Sequence, residues 1–179
     1  MIDKVITSVA SKLDEYVKNS LSLNEQSVIV SSLVDLKGNL NQDVENKITI
    51  FLLNIEEEKL SKNANMTSNA GSNPGIKISI HLMFSAHFTN FNYLEALKYI
   101  SLVIEFFQAH NTFTASDTQG LPLDVTKIHS EMLNISIEEI GKLWGNIGAN
   151  YVPSVAYKLK HIYYKDGGFS SDVALVTGS

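Results

Sequence analysis

The pattern of apolar and polar positions along the chain predicts three helices and five strands. Helices are indicated where apolar residues recur every three or four positions, and strands where they alternate or form short β-branched runs. The predicted helices cover residues 2–21, 93–110 and 137–147, and the predicted strands cover residues 28–34, 47–55, 76–88, 126–135 and 155–164. A chain of 179 residues suits one core, so these elements predict a single α+β domain over residues 1–165.

The most regular stretch covers residues 133–164. Ser136 is a favourable N-cap, and Glu139 lies three residues later, where its carboxylate can accept a hydrogen bond from the amide of the cap. This pair predicts a capping box at the start of a short helix that leads into the last strand. Trp144, which is the only tryptophan, and Tyr157 are assigned as core anchors of this unit.

The predicted strand at residues 76–88 alternates throughout its length. Its even-numbered positions are apolar and are expected to face the core. Its odd-numbered positions carry lysine, serine, histidine and methionine, so they are expected to face a wetter side. His81 and His87 both lie on that wetter side.

The predicted helix at residues 93–110 is apolar on nearly every side and contains only three charged residues. A helix of this kind is normally buried in a larger body, and one domain of this size offers little else to cover it. The sequence therefore predicts a subunit interface along this helix, with Leu102, Phe106 and Phe107 as its contacts.

Two segments outside the predicted elements carry predictions of their own. Residues 56–75 have the glutamate, asparagine and glycine content of a long loop, which is either a disordered hairpin tip or a loop that becomes ordered against a partner. Residues 166–179 are expected to form a flexible C-terminal tail. The tail contains the apolar run Val173-Ala174-Leu175-Val176, and strand addition to a neighbouring subunit is the functional alternative to a frayed end.

Composition narrows the range of partners. The net charge is −5 and all 14 basic residues are lysine, so the chain lacks the arginines that usually contact phosphates and base edges, and no nucleic acid is expected. No run approaches the roughly 20 apolar residues of a membrane span, so no membrane partner is expected. The absence of cysteine excludes disulfides and thiolate metal sites and is compatible with a cytoplasmic protein.

No catalytic signature is present, because the sequence contains neither a nucleophile elbow nor a phosphate-binding loop. One metal site is conceivable: His81 and His87 share a face of one strand, and His129 and Glu131 share a face of another. The four residues do not form a compact metal-binding motif. The sequence therefore predicts a protein without enzymatic activity, metal or cofactor. A small metal-dependent hydrolase, or an adaptor that binds a partner through residues 56–75, is the alternative.

Several short motifs follow one another in a characteristic order. An apolar strand at residues 50–55 is followed by Pro74 and the alternating strand, and then by Leu133-Asn134-Ile135. Lys142-Leu143-Trp144 and Pro153-Ser154-Val155-Ala156-Tyr157 complete the set. Together with the amphipathic N-terminal helix, this set resembles the small tail-terminator or sheath-cap proteins of contractile injection systems, which are phage-tail-like particles.

The resemblance implies a single mixed, mostly antiparallel sheet of about five strands flanked by helices, assembled as a homo-hexameric ring. Such a ring lies at the end of the particle distal to the baseplate, where it ends the inner tube and anchors the last disc of the sheath. The implied partners are the chain itself, the inner tube protein and the sheath protein, and the implied setting is cytoplasmic assembly of an injection particle. The run Val173–Val176 is then expected to contact sheath or tube, and the face of His81 and His87 to line the lumen or meet the tube.

Overall fold

The structure is a computed structural model that describes residues 1–35, 37–58, 76–89, 92–123 and 125–164. These residues form three α-helices, one 3-10 turn and a six-stranded sheet. In chain order the elements are α1 (Ile2–Leu21), β1 (Val28–Val30), the 3-10 turn (Gln42–Val44), β2 (Lys47–Glu57), β3 (Ile76–His87), α2 (Tyr93–Ala109), β4 (Thr112–Phe113), β5 (Ile128–Met132), α3 (Ile137–Ile147) and β6 (Ser154–Tyr164). The predicted α+β class is confirmed.

The strands lie in the order β1-β2-β3-β6-β5-β4. β1 runs parallel to β2, and the other neighbouring strands are antiparallel. The sheet is therefore mixed and mostly antiparallel, as predicted, with six strands in place of about five. The additional strand is β4, which has only two residues and lies between the predicted helix at residues 93–110 and the predicted strand at residues 126–135. A strand of that length is too short to show any alternation.

Several strand ends differ from the prediction, and the predicted strand at residues 126–135 is shortened to β5, Ile128–Met132. β1 ends at Val30, whereas a strand over residues 28–34 was expected. β2 continues to Glu57, and its last two glutamates pair with β3, Glu56 opposite Ser79 and Glu57 opposite Ile78. Glutamate is a poor strand former, but the long partner strand β3 supplies the hydrogen bonds that hold these residues extended.

Helices α1 and α2 cover one face of the sheet and enclose the main core. An aromatic group lies at its centre, where the Phe107 ring stacks on Tyr157 with centroids 4.0 Å apart and meets Phe84 edge-on at 5.1 Å. Phe106 and Phe113 extend this group towards α1 and β4. Aromatic pairs of this geometry add to the hydrophobic stabilisation of the core.

The opposite face of the sheet carries a second, smaller apolar cluster. Trp144 from α3 packs there with Leu33 and Val44 from the connection between β1 and β2. Phe51, which lies opposite Met83 on the neighbouring strand, packs against this cluster. On the odd-numbered face of β3, Met83 is 1 % exposed, and Ser79 and Ser85 are 0 % exposed. The prediction that the whole odd-numbered face is wetter is therefore wrong for these three residues.

The predicted capping box at the start of α3 is present. The Glu139 amide donates to Ser136 Oγ at 3.2 Å, and the Ser136 amide donates to Glu139 Oε2 at 3.0 Å. We expect Ser136→Ala to lower the free energy of unfolding by about 1 kcal/mol, because the amide at the third helical position loses its acceptor. Urea denaturation measures this change. Ser101→Ala in the exposed middle of α2 is the matched control, and an equal shift in both variants would contradict the role of the cap.

Candidate functional site

The structure places the three predicted contacts of α2 mostly inside the chain. Phe106 is 0 % exposed and Phe107 is 3 % exposed, while Leu102 is half-buried against the same core. The assignment of Phe106 and Phe107 to a subunit interface is therefore corrected, since their side chains have almost no surface to offer a neighbour. The physical reason is that α1 covers α2 from a second side, where Tyr16 lies 5.6 Å from the Phe106 ring.

The outer face of α2 carries a different set of apolar residues. Leu94 is 79 % exposed, Leu97 is 40 % exposed and Ile104 is 39 % exposed, with Tyr93 beside them at the start of the helix. Their spacing places them along one side of the helix, away from the core. Contiguous apolar surface of this kind marks an interaction site more often than isolated apolar residues do. The helical spacing of these residues was a usable signal in the sequence, but the buried side was as apolar as this one.

The side of the sheet that carries the Trp144 cluster is charged in the part that lies beyond this cluster. Lys158 Nζ on β6 donates to Glu56 Oε2 on β2 at 2.6 Å. His81 on β3 lies between these strands, and its Nε2 atom is 3.3 Å from the same oxygen without the alignment of a hydrogen bond. Lys160 pairs with Glu131 on β5. We call this set, Glu56, His81, Glu131, Lys158 and Lys160, the charged sheet face.

The carboxylates of the charged sheet face are held in their ionised form. The hydrogen bond from Lys158 lowers the pKa of Glu56 below its ordinary value, and the positive charge of Lys158 acts in the same direction. The hydrogen bond from Lys160 similarly lowers the pKa of Glu131. Acidic and basic groups alternate across neighbouring strands here. The surface therefore carries both positive and negative charges and does not produce a strong electrostatic field of one sign.

We expect Lys158→Met to raise the pKa of Glu56 towards its ordinary value of 4.5, because the strongest donor to that carboxylate is removed. A carboxylate NMR titration measures this pKa directly. The folded-state pKa of Glu56 is depressed, so its contribution to stability is present above the unfolded pKa and is lost as the pH falls through the folded value. The difference in Tm between wild type and variant should therefore shrink on acidification.

The matched control for this titration is Lys142→Met, which removes an exposed lysine paired with Glu138 on α3. It should leave the titration of Glu56 unchanged. An unaltered Glu56 pKa in Lys158→Met would show that the ion pair across β2 and β6 does not persist in solution.

The four residues of the conceivable metal site are not brought together. His81 on β3 and Glu131 on β5 both lie opposite Lys158, which stands between them on β6. His129 lies opposite Lys160, and His87 lies at the other end of β3 opposite Lys47. Within the described ranges, no group of three or more histidine, aspartate or glutamate side chains is arranged to hold a metal ion. The amine groups between the candidates would repel a cation.

The remaining predicted site residues divide into buried and undescribed positions. Trp144 and Tyr157, assigned as core anchors, are each 4 % exposed, with Tyr157 in the main core and Trp144 in the second cluster. The run Val173-Ala174-Leu175-Val176 lies outside the described residues, and so do residues 59–75, which make up most of the predicted loop. No helix in the part of the chain that the structure describes is long and apolar enough to cross a membrane.

Comparison with known proteins returns a family and a fold. The family profile of the Pvc16 N-terminal domain matches residues 4–167. One similar solved structure is the sheath/tube terminator of the extracellular contractile injection system PVC in its extended state, with 14% sequence identity and a TM-score of 0.59. Another is the tube terminating cap of the anti-feeding prophage, with 13% identity and a TM-score of 0.58. A search of the curated proteins returns no match.

The two solved structures are longer than this chain. All of the chain is covered in both comparisons, but it spans 62% of the first structure and 60% of the second. At 13% and 14% identity, these comparisons show a shared fold. The family profile runs from the first helix to the last strand, so the resemblance to the terminator proteins of contractile injection systems is confirmed, and this chain belongs to the family of the Pvc16 N-terminal domain.

Proposed function

We propose that the chain is a non-enzymatic structural terminator of a contractile injection system, which ends the inner tube and anchors the last disc of the sheath. The observation that supports this function is the family match over residues 4–167. The fold shared with a sheath/tube terminator and with a tube terminating cap agrees with it. Assembly in the cytoplasm, before or within the complete particle, is part of the same proposal.

The proposed assembly is a homo-hexameric ring. A closed ring uses heterologous contacts, in which one patch of each subunit meets a different patch of the next. The outer face of α2 is suited to one side of this contact, because Leu94, Leu97 and Ile104 are apolar and have no cover within the described part of the chain. Leu102 lies at the margin of the same helix and stays a predicted contact.

The tube and the sheath are assigned to other surfaces. The charged sheet face, with His81 near its centre, is proposed to line the lumen or to meet the tube, because alternating charges give register and specificity more than affinity. The run Val173–Val176 is proposed to add as a strand to a partner, on the sheath or on a neighbouring subunit. Neither assignment requires a metal or a cofactor.

Electron microscopy of particles tests the function. Particles assembled without this protein should have tubes and sheaths of uncontrolled length, and re-expression of the wild-type chain should restore a uniform length. A tagged copy should appear only at the end distal to the baseplate. Particles of normal length in the absence of the protein, or a tag distributed along the sheath, would refute the proposal.

A further inference from the structure

Strand β2 is much longer than its outer neighbour β1. β1 pairs with β2 only from Ile48 to Ile50, and the Ser31 amide donates to the Ile50 carbonyl where the two segments part. β2 itself continues to Glu57. Within the described residues no strand pairs with this side of β2 beyond Ile50, so residues 51–57 form an edge of the sheet, which we call the β2 edge.

The β-bulge after Leu52 decides which backbone groups of the β2 edge point outwards. Beyond the bulge, Glu58 N–H donates to the Lys77 carbonyl on β3, so the even-numbered residues of this part face β3. The N–H and carbonyl groups of Ile55 and Glu57 therefore point away from β3, and an added strand can pair with them.

The β2 edge has uncovered apolar side chains on the side of the main core. Leu52 is 42 % exposed and Ile55 is 45 % exposed, although they lie opposite Leu82 and Ile80, which are fully buried. The reason is that β1 ends before it reaches their level. A further strand beside β2 would remove both side chains from water.

On the side of α3, a groove of about 430 Å³ lies between this helix and the β2 edge. Five of its eight lining residues are apolar, namely Phe51, Leu52, Leu53, Leu143 and Ile147. The other three are Glu139, Lys142 and Asn146. Glu139 belongs to the capping box and Lys142 is paired with Glu138, so both charges already have partners. The floor of the groove therefore suits apolar side chains.

Outward backbone groups between two apolar surfaces fit a short extended peptide that is apolar on both of its faces. The chain contains a segment of this kind outside the described structure, the uncharged run Val173-Ala174-Leu175-Val176. Valine favours extended backbone, and none of the four residues is proline, so every N–H of the run can donate.

Strand β6, which leads to this run, ends at the same end of the sheet as β2. Tyr164 lies opposite Ile76 on β3, and Glu57 lies opposite Ile78, two residues away. A strand beyond β2 would be about 14 Å from β6 across the sheet and about 7 Å along it, or about 16 Å in a straight line. The nine residue steps from Tyr164 to Val173 span up to about 30 Å. The run therefore reaches the β2 edge of its own chain, with enough slack to pass over a face of the sheet.

The direction of the strands sets the direction of the contact. β2 and β6 are both antiparallel to β3, so both run towards this end of the sheet. A chain that turns back after β6 meets the β2 edge at Glu57 and runs antiparallel to β2. The short link holds the run near its own edge at an effective concentration on the order of millimolar, which favours this contact over one with another copy.

We propose that in the free subunit the run Val173–Val176 docks as an added antiparallel strand on the β2 edge of its own chain. The contact covers a sheet edge that would otherwise be available for association with other strands. The inference goes beyond the proposed function, because in the particle the partner to which the run is assigned would have to displace it from this edge.

Cross-linking of the full-length chain tests the contact, since the chain has no native cysteine. Chains that carry both Glu57→Cys and Ala174→Cys are treated with a short bis-maleimide, and we expect a linked monomer. The matched control combines Ala174→Cys with Lys127→Cys, an exposed position just before β5 that lies only about 8 Å from the end of β6. A freely moving tail would link to position 127 at least as often as to position 57, so we expect at least tenfold more product at position 57.

Hydrogen exchange provides an independent measurement. Leu175→Pro removes an N–H from the run and prevents its regular pairing, so the amides of Ile55 and Glu57 should exchange at least tenfold faster than in the wild type. Ser179→Pro lies beyond the run and should leave their exchange unchanged. Circular dichroism checks folding, and Asn54→Cys replaces Glu57→Cys if the latter does not fold.

Three results would overturn the contact. Equal linking at positions 57 and 127 would show a tail without a preferred site. Linked dimers from a mixture of Glu57→Cys chains and Ala174→Cys chains, without linked monomers of the double variant, would place the run on a second copy. Unchanged exchange at Ile55 and Glu57 in Leu175→Pro would show that the run does not cover them. The terminator function is tested by particle length, so either proposal can fail while the other stands.

Discussion

Replacing Phe106 with alanine should lower the free energy of unfolding by about 3 to 5 kcal/mol, which is the usual cost of removing a buried aromatic ring. Phe106 is fully buried, and its ring centroid lies within 6.0 Å of those of Tyr16, Phe107 and Phe113. These neighbours belong to three different elements, α1, α2 and β4. The cavity left by the ring cannot close unless these elements move together, so we expect an effect in the upper part of the range.

Chemical denaturation measures this change, and Leu94→Ala is its matched control. Both residues are large apolar side chains of α2, but Leu94 is 79 % exposed, so its truncation should change the free energy of unfolding by less than about 0.5 kcal/mol. The opposite result is informative. If Phe106→Ala left stability unchanged and dissociated the ring, Phe106 would be a subunit contact, and α2 would lie in the protein with its other face inwards.

Introducing aspartate at both Leu94 and Leu97 should convert the proposed ring into monomers without unfolding the chain. Both side chains point away from the core, so the isolated domain tolerates the charges in water. In the interface each carboxylate would be buried without a partner, at an effective cost of several kcal/mol per ion. We expect association to weaken by at least about 100-fold, since each 1.4 kcal/mol changes the equilibrium constant tenfold.

Sedimentation velocity gives the assembly state of this variant, and its thermal unfolding reports on the fold. Ile137→Asp is the control, because Ile137 is also an apolar residue of a helix and is 91 % exposed, but lies on α3. It should leave the ring intact. Rings of unchanged stability in the Leu94 and Leu97 variant would exclude the outer face of α2 from the subunit contact and would leave the family and the fold unaffected.

Local signals in the sequence were sufficient where the interacting residues are close along the chain. The capping box needs only Ser136 and Glu139, three positions apart, so its residue types define its geometry. The extent of α1 and the core face of β3 follow from periods of 3.6 and 2 within one element. The order of such elements along the chain, set beside its short motifs, was also enough to identify the family.

The pattern within one element did not predict which of its faces is buried where a distant part of the chain covers that face. Phe106 and Leu94 lie on opposite sides of a helix that is apolar all round, and only the packing of α1 selects the buried side. Met83 and Ser85 occupy positions that the alternation assigns to a wet face, yet both are buried, on the side of the sheet where Phe51, opposite Met83, packs against the Trp144 cluster. The candidate histidines share strand faces in the sequence, and only the position of β6 shows that lysines separate them.

The sequence by itself therefore determined the helices, the longer strands, their order and the class of fold, because these depend on periodicity, capping and composition over short stretches, and its short motifs carried the resemblance to the family. The tertiary structure alone decided which side of α2 remains uncovered. Burial depends on pairs of elements. The residues of a helix face are the same whether or not a neighbour removes that face from water, so the sequence of the helix does not show whether the face is buried. Only the arrangement of α1, α2 and the sheet assigns each face to the core or to a partner.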